Sequence, residues 1–410
     1  MEKIIKQDIF YKTKSLETRT EELLNFTAEM AKTLLTNGAE TYRVEETSSY
    51  IIRHYSKNEL QKEGKKAEII ISPTAIICGI ENERGGVIKR IEKRGLNLTK
   101  VHLIINLSRE IKDKNLSLKE AQKKLNKINK TESYSNKSLN LCAAISCASF
   151  NFLLGGGFRE MAVTFVISYL LKMLLTKLLN GRTNVFFNTL IGGSFAALLS
   201  IIVGLITPLN VNVVIISTIM LLVPGVALVN AFRDILEGHY IAGSSRLMEA
   251  IFIAFCLSIG VFIPMSLINF ESLSNVYHTL PFTLLGAGIA SAGFAYLFGA
   301  PKKEISTSGL AGLFGWILLE AFNLIFISAA AVGIFAIIAS KKRKAIGSIY
   351  LIAGIIPYVP GGGIYRTMLY LVTDDRENAI TAGLSAFGAA GSIALGMMVV
   401  FSIYNALRKR

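Results

Sequence analysis

Four histidines, four cysteines and one tryptophan are all that 410 residues contain of those types. The histidines and cysteines nowhere fall at metal-ligand spacing, and no nucleophile stands near a base, which argues against a metal centre or an enzyme. Cys78, Cys142, Cys147 and Cys256 therefore read as free thiols, three of them in apolar segments. A glycine-rich phosphate loop is lacking, so ATP is not the expected energy source and no cofactor is expected. Charge is scarce after the first third. Residues 138–410 hold 17 basic and 10 acidic side chains, against 27 and 19 in residues 1–137. The opening MEKIIKQDIFYKTK has neither the apolar core nor the cleavage site of a secretion signal, so this charged region is expected to stay in the cytosol.

What the chain has in abundance is apolar surface. Hydrophobic residues make up 51% and the mean hydropathy is +0.47, too apolar for an ordinary soluble protein. The net charge of +15 is then topological, and no nucleic-acid partner is expected. A hydrocarbon core of about 30 Å needs roughly 20 apolar residues per helix. That rule yields ten spans: 138–157, 159–179, 185–206, 211–232, 247–269, 281–300, 305–321, 323–340, 347–372 and 380–405. With the first region inside, fourteen basic residues, Lys172 and the Lys341–Lys344 cluster among them, fall on the inner side. Only Arg159, Arg366 and Arg376 fall outside. This bias sets the orientation, with both termini cytosolic, and favours a turn near residue 322 over one long span.

The apolar body repeats itself. ASFNFLLGGG at Ala148–Gly157 matches AGFAYLFGAP at Ala292–Pro301, each followed by an acid, Glu160 and Glu304. LLVPGVALV at Leu221–Val229 matches PYVPGGGIY at Pro357–Tyr365. Five spans per unit is odd, so the second unit must enter the membrane upside down. An inverted pair of Gly/Pro-interrupted repeats is a signature of secondary transporters. The expected architecture is an α-helical membrane protein of ten helices in two inverted five-helix repeats, 138–270 and 271–410, after a small cytosolic α+β domain at 1–137. In that domain Leu16–Tyr55 reads as helix broken at Asn37-Gly38. Lys66–Glu81 and Gly85–Lys93 read as β-structure joined by ENERGG. Two amphipathic helices follow, the second opening on the Ser117–Glu120 capping box. Its basic helices suit anionic headgroups or a plain solvated face.

Several separate motifs resemble the threonine/serine exporter family of bacterial membrane transporters, in that family's order. They are LLTNGAETYRVEET (Leu34–Thr47), SPTAII (Ser72–Ile77), GLNLTKVHLIINLSR (Gly95–Arg109), LVPGVALVNAFRDILEGHYIAGSSRLMEA (Leu222–Ala250), GWILLE (Gly315–Glu320) and VPGGGIYR (Val359–Arg366). The likeness runs from about residue 20 to 400 and looks like the family's fused form. It implies ion-driven export of small polar amino acids across the bacterial cytoplasmic membrane. The partners implied are an amino acid, the lipid bilayer and a coupling ion, expected to be H+.

Candidate site residues follow from the breaks. Pro224-Gly225 and Pro360-Gly361 lie inside apolar spans, where freed backbone groups are tolerated only against protein or a water-filled cavity. Such breaks suit a zwitterion, with amides for the carboxylate and carbonyls for the ammonium. A plain proline kink is the other possibility. Asn230, Arg233 and Asp234 share a helix face beyond the first break and would bind or gate, or simply anchor a helix end. Tyr365 and Arg366 follow the second break, where Arg366 would attract a carboxylate or snorkel outward. Glu249 is three residues from Arg246, at salt-bridge spacing. Glu320, in a near-continuous apolar run beside Trp316, is the first candidate to carry a coupling proton. Glu160 and Glu304 suit helix caps. A small-dicarboxylate exporter fits the bare residues almost as well, and a passive channel is a further alternative.

Overall fold

The computed structural model describes residues 20–56, 67–72, 74–80, 86–92, 95–132, 134–179, 184–268 and 279–408. The chain divides into two compact units, Met1–Ser133 and Tyr134–Arg410.

In the first unit, helix α1 (20–36) and helix α2 (Thr41–Ser56) bury Phe26, Met30, Leu34, Val44 and Ile51. Between them Gly38 takes φ 90°, a conformation that a side chain resists, and the chain leaves the helix there. Strands β1 (Ala67–Ile71), β2 (Ala75–Ile80) and β3 (Gly86–Arg90) form an antiparallel sheet in that order. The stretch 66–81, read as one β-rich run, is two strands, because the Ser72 amide donates to the Ala75 carbonyl at 2.9 Å and reverses the chain. The ENERGG turn falls largely outside the described residues. Helix α3 (Leu98–Lys114) is capped by the Asn97 side chain. Helix α4 (Leu118–Asn129) carries the Ser117–Glu120 capping box in both directions. Glu110 lies 2.8 Å from Lys114 and 2.6 Å from Lys124, which hold its carboxyl down at about 2.

The second unit is helical throughout its described residues. Helices α5 (Asn136–Leu153), α6 (Phe158–Leu179), α7 (Val185–Ile206), α8 (Val211–Ile219), α9 (Gly225–Leu236) and α10 (Tyr240–Leu267) make up its first half. Helices α11 (Leu280–Leu297), α12 (Ile305–Phe322), α13 (Ile325–Arg343), α14 (Gly347–Ile355), α15 (Gly361–Val372) and α16 (Arg376–Arg408) make up the second. Among the described residues seven helices are long and apolar enough to cross a membrane. The number is eight if the bent pair Gly347–Tyr358 and Gly361–Val372 counts as one span. The protein is an α-helical, multi-pass membrane protein.

Small residues set the helix contacts, as packing between membrane helices requires. A Cβ on Gly286 of α11 would meet the Ser149 carbonyl of α5 at 2.8 Å, and one on Gly193 of α7 would meet the Leu257 carbonyl of α10 at 2.9 Å. The packing pattern occurs twice. Helix α8 lies against α5, α6 and α7, and α14 lies against α11, α12 and α13. Helix α7 packs on α10 as α13 packs on α16, and the halves cross where α9 packs on α16 and α15 on α10.

Two local features depart from simple span reading, and a third, the expected turn near residue 322, is present. Helix α5 stops at Leu153, short of 157, because Gly155 turns to φ 79°; α11 stops likewise before Gly299 at φ 68°. The segments 211–232 and 347–372 are each two helices rather than one. Between α12 and α13 the turn is made by Asn323 in the left-handed region, φ 50°.

Candidate functional site at the paired helix breaks

Helix α8 ends at Ile219, and α9 begins at Gly225 after Pro224, whose backbone sits at φ −81°, ψ 38°. Helix α14 ends at Ile355, and α15 begins at Gly361 after Pro360 at φ −75°, ψ 37°. The boundaries correspond with one offset of 136 residues (Val211 to Gly347, Gly225 to Gly361). Both prolines stand at the N-cap with no side-chain acceptor, so the first N–H groups of α9 and α15 receive no capping side chain.

The two breaks touch. A Cβ built on Gly225 would overlap Val359 Cγ1 and lie 3.2 Å from Gly361 Cα. A Cβ built on Gly361 would overlap Val223 Cγ1 and lie 3.5 Å from Gly225 Cα. Each glycine is thus roofed by the valine two residues before the other, and only glycine lets the backbones cross this closely. Met220 and Val226 of the first break pack on the same apolar cluster as Trp316, with Ile356 of the second break inside that cluster. The Trp316 Nε1 and the Tyr358 hydroxyl are buried there without hydrogen-bond partners.

The other candidates are placed as follows. Tyr365 is buried, and its carbonyl accepts from Ser258 of α10 at 3.0 Å, tying α15 to the first half. Arg366 is exposed and its Nε donates back to the Gly362 carbonyl. Asn230 is half-buried on α9. Arg233 and Asp234 are both buried at the end of α9. Arg233 donates to Glu237 at 3.0 Å and lies over the Phe401 ring, while Asp234 takes Arg246 of α10 at 2.8 Å. Arg246 therefore reaches across helices to Asp234, and Glu249 stays half-buried on α10. Glu320 is exposed, two residues before the end of α12.

Glu160 and Glu304 do more than cap. Glu160 accepts from the Gly157 amide at the start of α6 and from the Asn210 amide at the start of α8, both at 3.0 Å. Glu304, also buried, takes Arg343 from the end of α13 and the Tyr350 hydroxyl of α14. Each acid ties the second helix of its half to the first part of the broken pair.

One group went unremarked as a site in the sequence. Lys172 of α6 counted only as an inner-side charge, yet it lies in electrostatic reach of the buried Cys147 of α5. Cys147 in turn contacts the Thr218 carbonyl of α8 at 3.7 Å. Its signal was a lysine on the same helix face as Thr164 and Ser168, within an apolar segment.

Residues 25–268 match the family model described as putative threonine/serine exporter, and residues 283–403 match that of threonine/serine exporter, ThrE. The chain belongs to the threonine/serine exporter family. A probable threonine/serine exporter of Mycobacterium tuberculosis is 22% identical over 95% of this chain and 77% of its own length. A threonine/serine exporter of Corynebacterium glutamicum is 26% identical over 63% of this chain and 57% of its own length. A probable succinate transporter subunit, YjjP, of Klebsiella aerogenes is 27% identical over 57% of this chain and 89% of its own. No solved structure matches.

Proposed function

We propose that this protein is a secondary active exporter of threonine, serine and similar small polar amino acids, working across the bacterial cytoplasmic membrane with both termini inside. The observation that carries this is the reciprocal crossing of the breaks at Gly225 and Gly361. Two half-helices, α9 and α15, begin at one place with no capping side chain, the arrangement by which transporters hold anionic groups. The names of the relatives supply the substrate class. The matched lengths and packing of the two halves support a body of ten spans in two inverted repeats, counting α8–α9 and α14–α15 as one span each and adding α5. In this scheme Pro224, Gly225, Pro360 and Gly361 line the substrate site, Asn230, Tyr365 and Arg366 flank it, and Arg233, Asp234 and Glu249 gate its inner mouth. A proton gradient drives export, with Glu320 ahead of Asp234 as its carrier.

Inside-out vesicles containing the protein are expected to accumulate labelled threonine and serine when a proton gradient is imposed, and to stop when it is collapsed. Accumulation that ignores the gradient would exclude proton coupling, and downhill flux alone would mean a channel. Similarity to the succinate transporter subunit favours a second reading, a dicarboxylate exporter. Uptake of succinate in place of threonine in the same vesicles would select it.

A further inference from the structure

We propose that Lys172 holds a carboxylate of the substrate at the first break, which rests on the reading that substrate sits there. Lys172 follows Ser168 by four residues and Thr164 by eight, so the three share one face of α6. Thr164 and Ser168 are fully buried; the Thr164 hydroxyl lacks a hydrogen-bond partner, and the Ser168 hydroxyl is in hydrogen-bonding reach of Cys147. That face is directed at Cys147, which lies beside the Ser168 side chain, the Leu221 backbone and the Lys172 charge. Thr218, whose carbonyl Cys147 contacts, is the second-last residue of α8, and its own hydroxyl is buried without a partner. Leu221 lies in the break itself. Lys172, half-buried, therefore lies on the face of α6 that meets Cys147 and, through Cys147, the first break.

Lys172 has no acidic partner among the described residues. Among the described residues no hydrogen bond or ion pair engages the Lys172 side chain. The buried acids of this unit are committed elsewhere: Asp234 to Arg246, Glu304 to Arg343, Glu160 to two backbone amides. A cation held in an apolar bundle without an anion is costly, and a bound carboxylate relieves that cost. The first N–H groups of α9, which have no capping side chain, and the partnerless hydroxyl of Thr218 add donors suited to the same anion. The second half has no such charge, since Trp316 stands where Lys172 does, by the spacing that relates Glu160 to Glu304. One carboxylate is thus held by charge and not two. An amino acid and a dicarboxylate both carry the required group, and the experiment separates them.

The full-length protein in lipid nanodiscs is to be melted with threonine, threoninol, succinate or succinamide. Carboxylates are expected to raise the melting temperature, with the analogues that lack a carboxylate at least tenfold weaker. Lys172→Gln is expected to melt at or above the wild-type temperature without ligand and to lose the carboxylate response at least tenfold; Lys172→Arg is expected to keep it. Wild-type protein that answers equally to threonine and threoninol, and to succinate and succinamide, overturns the proposal without any variant. So does an undiminished carboxylate response in Lys172→Gln, or no response to either carboxylate. A response to succinate alone, lost in Lys172→Gln, keeps the proposal while overturning the amino-acid reading. A threonine response independent of Lys172 does the reverse.

Discussion

The two halves of the membrane unit share a backbone and differ in what they line it with. Helices α8 and α14 have nine residues each, α9 and α15 twelve each, and the two prolines take nearly the same dihedral angles. The side chains do not follow. Beside the first break stand Lys172, Cys147, Ser168 and Thr218. At the matching places of the second stand Trp316, Ser291, Gly312 and Gly354. The end of α9 carries the buried Asp234–Arg246 pair, whereas α15 has Tyr370 where α9 has Asp234. The lesson is that backbone geometry and the buried acids Glu160 and Glu304 were kept in duplicate, while Lys172 and the Asp234–Arg246 pair occur in one half alone. Two copies of a hinge suit a symmetric movement, and one set of charges suits an asymmetric molecule such as a zwitterion.

Inversion is the first thing to break. A cysteine at Asp374, exposed after α15, is expected to react with a membrane-impermeant thiol reagent added to intact cells, and one at Lys342 not at all. Labelling at 342 from outside would end the inverted arrangement and reverse the orientation. Ser274, the other position expected to face outside, lies outside the described residues.

The next largest effect is expected at the crossing. Gly225→Ala and Gly361→Ala should each abolish transport, because the new methyl overlaps a valine of the opposite half. Val359→Ala should partly restore the first variant and Val223→Ala the second, read as uptake rates in vesicles. Rescue in one half but not the other would mean that the breaks are not equivalent.

Glu320 sharpens the asymmetry further, for Thr176 occupies its place in the first half. Glu320→Gln is expected to remove gradient-driven accumulation while leaving exchange at equal concentrations intact. Unchanged accumulation would make its exposed position at the end of α12 a structural one.

The smallest effects concern stability. Removing one partner of a buried ion pair costs about 3–5 kcal/mol. Asp234→Ala should therefore lower stability by about 3 kcal/mol, given that Arg246 retains some solvent contact. Tyr370→Phe at the matching place is expected to stay within about 0.5 kcal/mol. Equal losses in thermal unfolding would contradict the inequality of the two helix ends.

Much of this was legible in the residues. Proline and glycine inside apolar runs announce breaks because no other pair both removes a backbone donor and permits the turn, and their equal spacing announced a repeat. The turn between α12 and α13 was legible through charge, since the Lys341–Lys344 cluster needed to lie inside. Tertiary reach was not legible. Arg246 sits at pairing distance from Glu249 along its own helix, yet it goes to Asp234 on α9. Nor does a sequence show neighbours: Lys172 reads as one more inner-side charge, and the fold brings it within electrostatic reach of Cys147 on α5. Helix ends were misjudged where glycines were apolar enough to count as span, as at Gly155–Gly157, although the backbone turned at the first of them.

The reciprocal roofing of Gly225 and Gly361 has a kinetic consequence. The valine of each break covers the glycine of the other, so under the proposed transport cycle a swing at one break is expected to displace the other. The two would then turn like meshed gear teeth. Coupling of that kind is expected to keep both mouths from gaping together, and so to limit leak across the membrane.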